Sequence, residues 1–364
     1  MPGAPTRRQF LASGAALAAA SAARPAAGPD SENDRASAEW SPKVSENLSN
    51  VDPDTLLWLA QLGLQWVVYQ GTDDVDANGK GYWTRDDLKP IQDRCRAYGL
   101  ELHSLMIPLD WLMSPMLGRP DGDRSVENIR RSVAAAGEAG VGMLEWRWSP
   151  DFKWGEEVGY YTETGRGGAV YKAFDYSRAA HKPPFEDLGR IERQTLWDRL
   201  IAFAEDVAPA AERAGVKLSL HPKDPPVRSM RGVDRVLTNT EEILDFLDAV
   251  DSPANGFTFC QGTVTEMGVD VIDAIRRIGG RGKIHHVHFR GVRGKVPRYV
   301  ETFLDEGDVD MLEAMRAYKE VGYTGSLVSD HTPRVIGDFA GGRVGRSFSH
   351  GYIRGLIQAV NAEG

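Results

Sequence analysis

The sequence from residue 41 onward repeats a single pattern, in which short apolar or alternating runs are separated by longer stretches with helical spacing. The candidate strands lie at 43–48, 64–70, 101–107, 141–148, 216–222, 256–260, 284–290 and 326–331. The stretches between them carry helix signals; Asp52 and Pro53, for example, precede an apolar run that ends at Gly63. Strands that alternate with helices predict an α/β protein built around a parallel sheet.

Eight strand–helix units predict a (β/α)8 TIM barrel that forms a single domain over residues 39–364. A doubly wound open sheet is the alternative architecture, but no glycine-rich phosphate loop follows the first strand. The longest irregular piece, residues 149–189, comes after the fourth candidate strand and is rich in aromatic residues. In a barrel this position lies on the catalytic face, so we interpret the piece as a lid-like insertion.

The first 38 residues have the composition of an export signal followed by a linker. Arg7 and Arg8 precede Phe10, Leu11 and an alanine-rich run that is too short and too weakly apolar to span a membrane. The segment resembles a twin-arginine signal. It therefore predicts that residues 1–38 are a signal peptide and linker, and that the protein is periplasmic or otherwise exported, with no membrane span in the mature chain.

The charge of the chain narrows the class of partner. The formal net charge is −9 and the pI is near 5.5, whereas a nucleic acid or an anionic membrane calls for clustered Lys and Arg. The chain has two cysteines, Cys95 and Cys260, and therefore no disulfide framework. These features predict a small-molecule substrate, and Cys95 lies in a helical stretch where we expect it to pack.

The stretch "KIHHVHFRG", residues 283–291, places polar side chains in an otherwise buried strand. Because side chains alternate along a strand, His286, His288 and Arg290 share one face and His285 lies on the other. In a barrel the first face points into the interior, where substrate binds.

The same alternation brings four possible metal ligands to the ends of four consecutive strands: His221, Cys260, His288 and Asp330. Each has a structural interpretation when taken alone, as a hydrogen-bonded histidine, a small buried cysteine or a capping aspartate. Together they would be costly to desolvate without a cation. The set predicts a divalent metal, and two imidazoles, a thiolate and a carboxylate suit Mn, Fe, Co, Ni or Zn.

Several segments resemble the mannonate dehydratase family in order and spacing, among them "VAPAAERAGVKLSLHPKDPP", "NGFTFCQGT", "IHHVHFRGV" and "SLVSDHTPR". The resemblance covers residues 197–360 and is fainter before them. It implies a xylose isomerase-like TIM barrel, a homo-oligomer, and a metal that is usually Mn(II), with Fe(II) or another transition metal as alternatives. The family's ligand positions fall on His221, Cys260, His288 and Asp330.

The activity that the resemblance implies is the dehydration of D-mannonate to 2-keto-3-deoxy-D-gluconate, or the same reaction on a related uronate or aldonate. The family's motif positions make Arg290 and His331 the candidate catalytic residues. Arg290 would also contact the sugar acid, together with Lys223, Asp224 and His286.

The chain is a divergent member by this resemblance. Lys223 and Thr332 replace an aspartate and a glycine of the family's motifs, and Gly341–Gly342 stands where the family has a Gly-Tyr pair with a catalytic tyrosine. The candidates to replace that tyrosine are Arg343, Arg346, Tyr160 and Tyr161.

Two other functions remain open at this level. A sugar isomerase or epimerase of the same barrel superfamily would act on an aldose or ketose, and it usually has more carboxylate ligands than Asp330 alone. A non-catalytic exported sugar-acid binding protein would keep the metal without the tyrosine. Mannonate dehydratases are typically cytoplasmic, so the export signal also leaves the substrate open among sugar acids, including uronate-containing oligosaccharides.

Overall fold

The described strands of the protein form a barrel, a four-stranded sheet and a two-stranded sheet. The computed structural model describes residues 39–71, 79–153, 155–338 and 342–363. The strands in these residues are β1 (Lys43–Leu48), β2 (Trp66–Tyr69), β3 (Glu101–Met106), β4 (Met143–Arg147), β5 (Tyr160–Thr164), β6 (Val170–Asp175), β7 (Lys217–His221), β8 (Ser229–Met230), β9 (Val233–Asp234), β10 (Asn255–Cys260), β11 (Ile284–His288), β12 (Gly291–Lys295), β13 (Arg298–Thr302) and β14 (Ser326–Val328).

The helices follow the barrel strands. They are α1 (Pro53–Gln61), α2 (Arg85–Arg96), α3 (Leu109–Leu117), α4 (Gly122–Ala139), α5 (Ser177–Ala180), α6 (Arg193–Ala214), α7 (Thr240–Ala249), α8 (Gln261–Glu266), α9 (Val271–Gly279), α10 (Met311–Glu320) and α11 (Arg343–Ala362). As predicted, α1 begins after Asp52, whose side chain accepts a hydrogen bond from the Thr55 backbone N–H at 3.0 Å. Within the described ranges, the helices are all too short or too polar to cross a membrane.

Eight of the strands close into a barrel in the order β1-β14-β11-β10-β7-β4-β3-β2. Every pair of neighbours in the barrel is parallel. Each barrel strand corresponds to one of the candidate strands, so the predicted (β/α)8 barrel is confirmed and the open sheet is wrong. Every residue of β10 and β11 is buried, because helices cover the outside of a barrel and side chains fill its interior.

Two barrel strands end two or more residues earlier than the sequence pattern predicts. β11 ends at His288 and β14 ends at Val328, so Arg290 and Asp330 lie in the loops that follow them. Asp330 has a left-handed backbone with φ 54°, a conformation that aspartate tolerates better than most residues. Alternation along a strand therefore does not by itself fix where these two side chains point.

Residues 149–189, predicted as a lid-like insertion, contribute two strands to the second sheet. β5 and β6 pair with each other, and β6 pairs with β13 in the antiparallel order β12-β13-β6-β5. The predicted role as a lid stays a prediction.

Residues Trp40–Gly364 form one compact unit. The predicted signal peptide and linker, residues 1–38, lie outside the described residues, as does Gly341 of the Gly341–Gly342 pair.

Candidate metal centre and catalytic site

The four predicted metal ligands meet inside the C-terminal end of the barrel. His221, Cys260 and His288 are the last residues of β7, β10 and β11, and their donor atoms all lie within 4.8 Å of one another. Asp330 approaches from the loop after β14, with Oδ2 at 3.5 Å from His288 Nδ1 and 4.0 Å from Cys260 Sγ. All four residues are buried.

His221 is held in the form that binds a metal. Its Nδ1 lies 2.7 Å from the carbonyl oxygen of Pro222, and a carbonyl can only accept, so Nδ1 carries the proton and Nε2 keeps its lone pair. Burial, together with the nearby charges of Arg147 and His288, holds the pKa of His221 well below its usual value. A neutral imidazole is the metal-binding form.

The charges around His288 favour a cation at this position. Burial alone would lower the pKa of His288, but the carboxylates of Asp330 and Glu145 outweigh it and raise that pKa to about 10. Neither ring nitrogen of His288 has a hydrogen-bond partner in the part of the chain that the structure describes. A metal ion would take the place of the His288 proton and would be stabilised by the same carboxylates. The donor set therefore fits a divalent transition metal.

Glu145, in β4, is a further donor that the sequence analysis missed. Its carboxylate is fully buried, and neither oxygen has a hydrogen-bond partner among the described residues. Oε1 lies 3.6 Å from His288 Nε2, while Glu145, His286 and His288 form a second group of donor atoms within 4.8 Å. Side chains alternate along the candidate strand 141–148, so Glu145 and Arg147 share one face. This alternation is the sequence signal that could have identified both residues.

The position of Glu145 predicts an effect on metal affinity. With Nδ1 of His288 facing Asp330, the Nε2 proton faces Glu145, and a carboxylate in this place orients a ligating histidine and makes it more basic. We expect Glu145→Gln to weaken Mn(II) binding roughly 10- to 100-fold in a titration of metal-free protein. Glu101→Gln, at an exposed position of β3, is the control and should bind like the wild type. Equal affinity in the two variants would contradict the prediction.

His331 lies at the edge of the metal centre and is 30% exposed at its side chain. Its Nδ1 is 2.9 Å from Glu301 Oε2 on β13, and its Nε2 is 3.7 Å from Asp330 Oδ1. Burial would raise the pKa of Glu301, but the charges of His331, Lys172 and Arg290 outweigh it and lower that pKa to about 2. Arg290 Nη1 lies 3.0 Å from the same Nδ1. The Glu301 carboxylate and the Arg290 guanidinium thus both hold the His331 ring at Nδ1, and Nε2 faces the centre.

Arg290 is fully buried and surrounded by carboxylates. Its guanidinium donates to Asp224 at 2.9 Å and to Glu266, and it lies 3.5 Å from Asp330. The backbone of Gly262 passes so close that a Cβ added there would lie 2.0 Å from Arg290 Nε. Arg290 therefore holds Asp330 and its neighbours in place.

The other predicted substrate contacts lie around this network. Lys223 Nζ donates to Asp151 at 2.9 Å in a buried ion pair. Asp224 accepts from Arg290 and, at 2.9 Å, from the hydroxyl of Tyr160, while His286 lies deeper in the barrel on β11. None of these three is among the described residues that line the cavity beside the centre. Their contact with substrate stays a prediction.

A cavity of about 650 Å³ opens beside the metal centre. Its size is that of a small-molecule site. It is lined by Glu46, Asn47, Leu48, Ser49, Asn50, Asp52, Thr55, Trp58, Gln70, Arg147, Phe152, Asp330, His331, Arg343 and Arg346. Two of the candidates to replace the family's tyrosine, Arg343 and Arg346, thus reach the cavity. The hydroxyl of Tyr161 donates instead to Glu163 at 3.3 Å.

The fold and the site define a xylose isomerase-like TIM barrel with a metal-ligand cluster at the C-terminal ends of its strands. The D-mannonate dehydratase (UxuA) family profile matches residues 173–363. The chain belongs to this family, which confirms the resemblance seen in its second half.

Individual relatives extend the match over most of the chain. Mannonate dehydratase 2 of Halalkalibacterium halodurans is 27% identical over 312 residues, which cover 78% of this chain and 89% of the relative. The mannonate dehydratase of Thermotoga maritima is 28% identical over 314 residues, covering 77% and 87%. The crystal structure of mannonate dehydratase from Streptococcus suis serotype 2 matches with a TM-score of 0.78 at 26% identity, covering 88% and 93%.

A structure of L-ribulose 3-epimerase also matches, with a TM-score of 0.56 at 16% identity, covering 88% of this chain and 96% of that one. At this identity the likeness shows a common fold alone. The family membership therefore separates the predicted functions: the chain is a sugar-acid dehydratase, a hydro-lyase of a metal-dependent family.

Proposed function

We propose that this dehydratase converts D-mannonate to 2-keto-3-deoxy-D-gluconate and that its metal is Mn(II). The observation that carries the proposal is His331, which lines a cavity of small-molecule size beside the metal-ligand residues and has its Nδ1 2.9 Å from Glu301. The names of the relatives, which are mannonate dehydratases, support the choice of substrate.

The reaction removes one water from two neighbouring carbons. A base takes the proton from C2, the C3 hydroxyl leaves with a proton as water, and the resulting enol becomes the 2-keto group. The C2 proton is weakly acidic because it lies next to a carboxylate that is already negative. A divalent cation held by His221, Cys260, His288 and Asp330 would supply positive charge where negative charge develops.

The chain supplies a group for proton transfer in His331. Glu301 and Arg290 hold the ring at Nδ1, and Nε2 faces Asp330, so Nε2 is the atom that accepts or donates a proton at the substrate. An imidazole can accept or donate a proton, which suits either the base at C2 or the acid at the C3 hydroxyl. Arg290 contributes by holding Asp330 in place.

The proposal is tested by incubating Mn(II)-loaded protein with D-mannonate and a panel of other aldonates and uronates. We expect D-mannonate to lose one water and to yield a 2-keto-3-deoxy acid, and we expect a chelator to stop the reaction. Reloading the metal-free protein with Mn(II), Fe(II) or Zn(II) in parallel ranks the metals. Conversion of another sugar acid but not of D-mannonate would contradict the proposed substrate.

We also propose that residues 1–38 direct export by the twin-arginine route, on the basis of Arg7, Arg8 and the apolar run after them. Replacing both arginines with lysine should leave the unprocessed protein inside the cell, as judged by fractionation. Export of this variant at the wild-type level would contradict the proposal. The homo-oligomer implied by the family resemblance stays a prediction.

A further inference from the structure

Arg147 is an arginine of the cavity wall to which the family resemblance gave no role. It is the last residue of β4 and pairs in register with His221 on β7. Side chains in register on neighbouring strands point to the same face of the sheet. Arg147 therefore points to the interior side, at the level of the metal ligands.

The guanidinium of Arg147 has no hydrogen-bond or ion-pair partner within the described part of the chain, and its Nε is buried. Its contact is with an aromatic ring, since its central carbon lies 4.9 Å from the centre of Phe152. Buried polar groups in proteins are almost always hydrogen-bonded. An arginine with unsatisfied donors on a cavity wall thus indicates a partner that arrives with the ligand.

The other arginines near the cavity already have partners. Arg346 forms an ion pair with Glu46, and Arg343 Nη2 donates to Thr55 Oγ1 at 2.7 Å. Recruiting one of them would mean breaking a bond that it already makes.

Arg290, which the family resemblance assigned to the substrate, is even less able to bind a ligand than Arg343 and Arg346. It is fully buried and bonded to Asp224 and Glu266. Freeing it would leave buried carboxylates without their counter-charge, which is strongly destabilising.

We propose that Arg147 binds the carboxylate of the substrate and makes the cavity select sugar acids over neutral sugars. The inference rests on the proposed function, in which the substrate carries a carboxylate. The planar guanidinium matches a carboxylate with two parallel hydrogen bonds. A carboxylate held by Arg147 would lie at the level of His221, next to the metal site that would supply the positive charge for the reaction.

The test compares two ligands that differ in this group, D-gluconate and its uncharged counterpart D-sorbitol, by calorimetry on Mn(II)-loaded protein. We expect Arg147→Gln to weaken D-gluconate binding about 10- to 100-fold, the range for a hydrogen-bonded charge, and to leave D-sorbitol binding unchanged. The KM for the sugar acid should rise in parallel, with the same metal content. Arg147→Lys, which keeps the charge but not the fork, should give an intermediate loss.

The matched control is Arg343→Gln, which removes the same charge from the same cavity at a residue that already has a partner. We expect it to lose less affinity for D-gluconate. An equal loss in both variants would point to a general effect of charge and overturn the inference. Unchanged D-gluconate binding in Arg147→Gln would also overturn the inference.

The outcome is separable from the proposed function because calorimetry requires no turnover. Arg147-dependent binding of D-gluconate in a protein that does not dehydrate D-mannonate would uphold the inference and defeat the substrate proposal. Turnover of D-mannonate with a KM that Arg147→Gln does not change would uphold the substrate proposal and defeat the inference about Arg147.

Discussion

Replacing His288 with alanine is expected to remove both the bound metal and the dehydratase activity. His288 is the residue common to the two groups of donor atoms found among the described residues, and Asp330 and Glu145 flank its two ring nitrogens. Without the imidazole the remaining donors no longer enclose one cation. We expect the metal content to fall to near zero and turnover to fall by more than about 100- to 1,000-fold, the effect of losing one electrostatic stabiliser of the transition state.

The neighbouring histidine offers a matched control. His285 lies on the same strand but on the opposite face, where its ring binds the carbonyl oxygen of Leu218 at 3.0 Å. His285→Ala should lower the melting temperature, because it removes a buried side chain, but it should keep the metal. Metal analysis and turnover measurements of His288→Ala and His285→Ala test whether His288 is a metal ligand. A His288→Ala protein that still binds one metal ion tightly would contradict the assignment.

Replacing His331 with asparagine is expected to separate metal binding from catalysis. Asparagine keeps a donor near the position of Nδ1 for Glu301 but has no group that exchanges a proton near neutral pH. We expect kcat to fall about 100- to 10,000-fold, the usual contribution of a general acid or base. The metal content should stay at the wild-type level, since His331 is not one of the four predicted ligands and its Nε2 lies 3.7 Å from Asp330 Oδ1 at the edge of the centre.

Glu301→Gln is the companion variant for His331. Glutamine still accepts a hydrogen bond from Nδ1, but the negative charge that orients the ring is lost, so we expect a kcat between those of the wild type and His331→Asn. Lys172 Nζ lies 2.9 Å from Glu301 Oε1, so this variant also removes a negative charge beside Lys172, and a melting curve separates that cost from catalysis. Wild-type kcat in His331→Asn would assign the proton transfer to another group.

The barrel was predictable because one local rule, the alternation of apolar runs and helices, applies along the whole chain. Three of the predicted metal ligands, His221, Cys260 and His288, also follow from a local rule, since strand ends converge on one face of a barrel. Asp330 lies in the loop after β14, so its position depends on how that loop folds. The same rule covers Glu145 and Arg147, which the sequence analysis overlooked because neither stands in a segment that resembles the family.

Glu301 and Lys172 could not be found in this way. They meet because β13 and β6 pair in a separate antiparallel sheet, and no pattern in the sequence specifies that pairing. Arg290 shows a related limit: β11 ends two residues before it, so its actual partners, Asp224 and Glu266, depend on how the following loop folds.

The most direct test of metal-dependent dehydration is nuclear magnetic resonance of D-mannonate incubated in D2O with the Mn(II)-loaded protein, with removal of the metal before the spectrum is taken. We expect the C2 hydrogen to disappear and a 2-keto-3-deoxy acid to form with deuterium from the solvent at C3, only in the sample that contained metal. Epimerisation at C2 without loss of water, or the same product from chelated protein, would contradict a metal-dependent hydro-lyase.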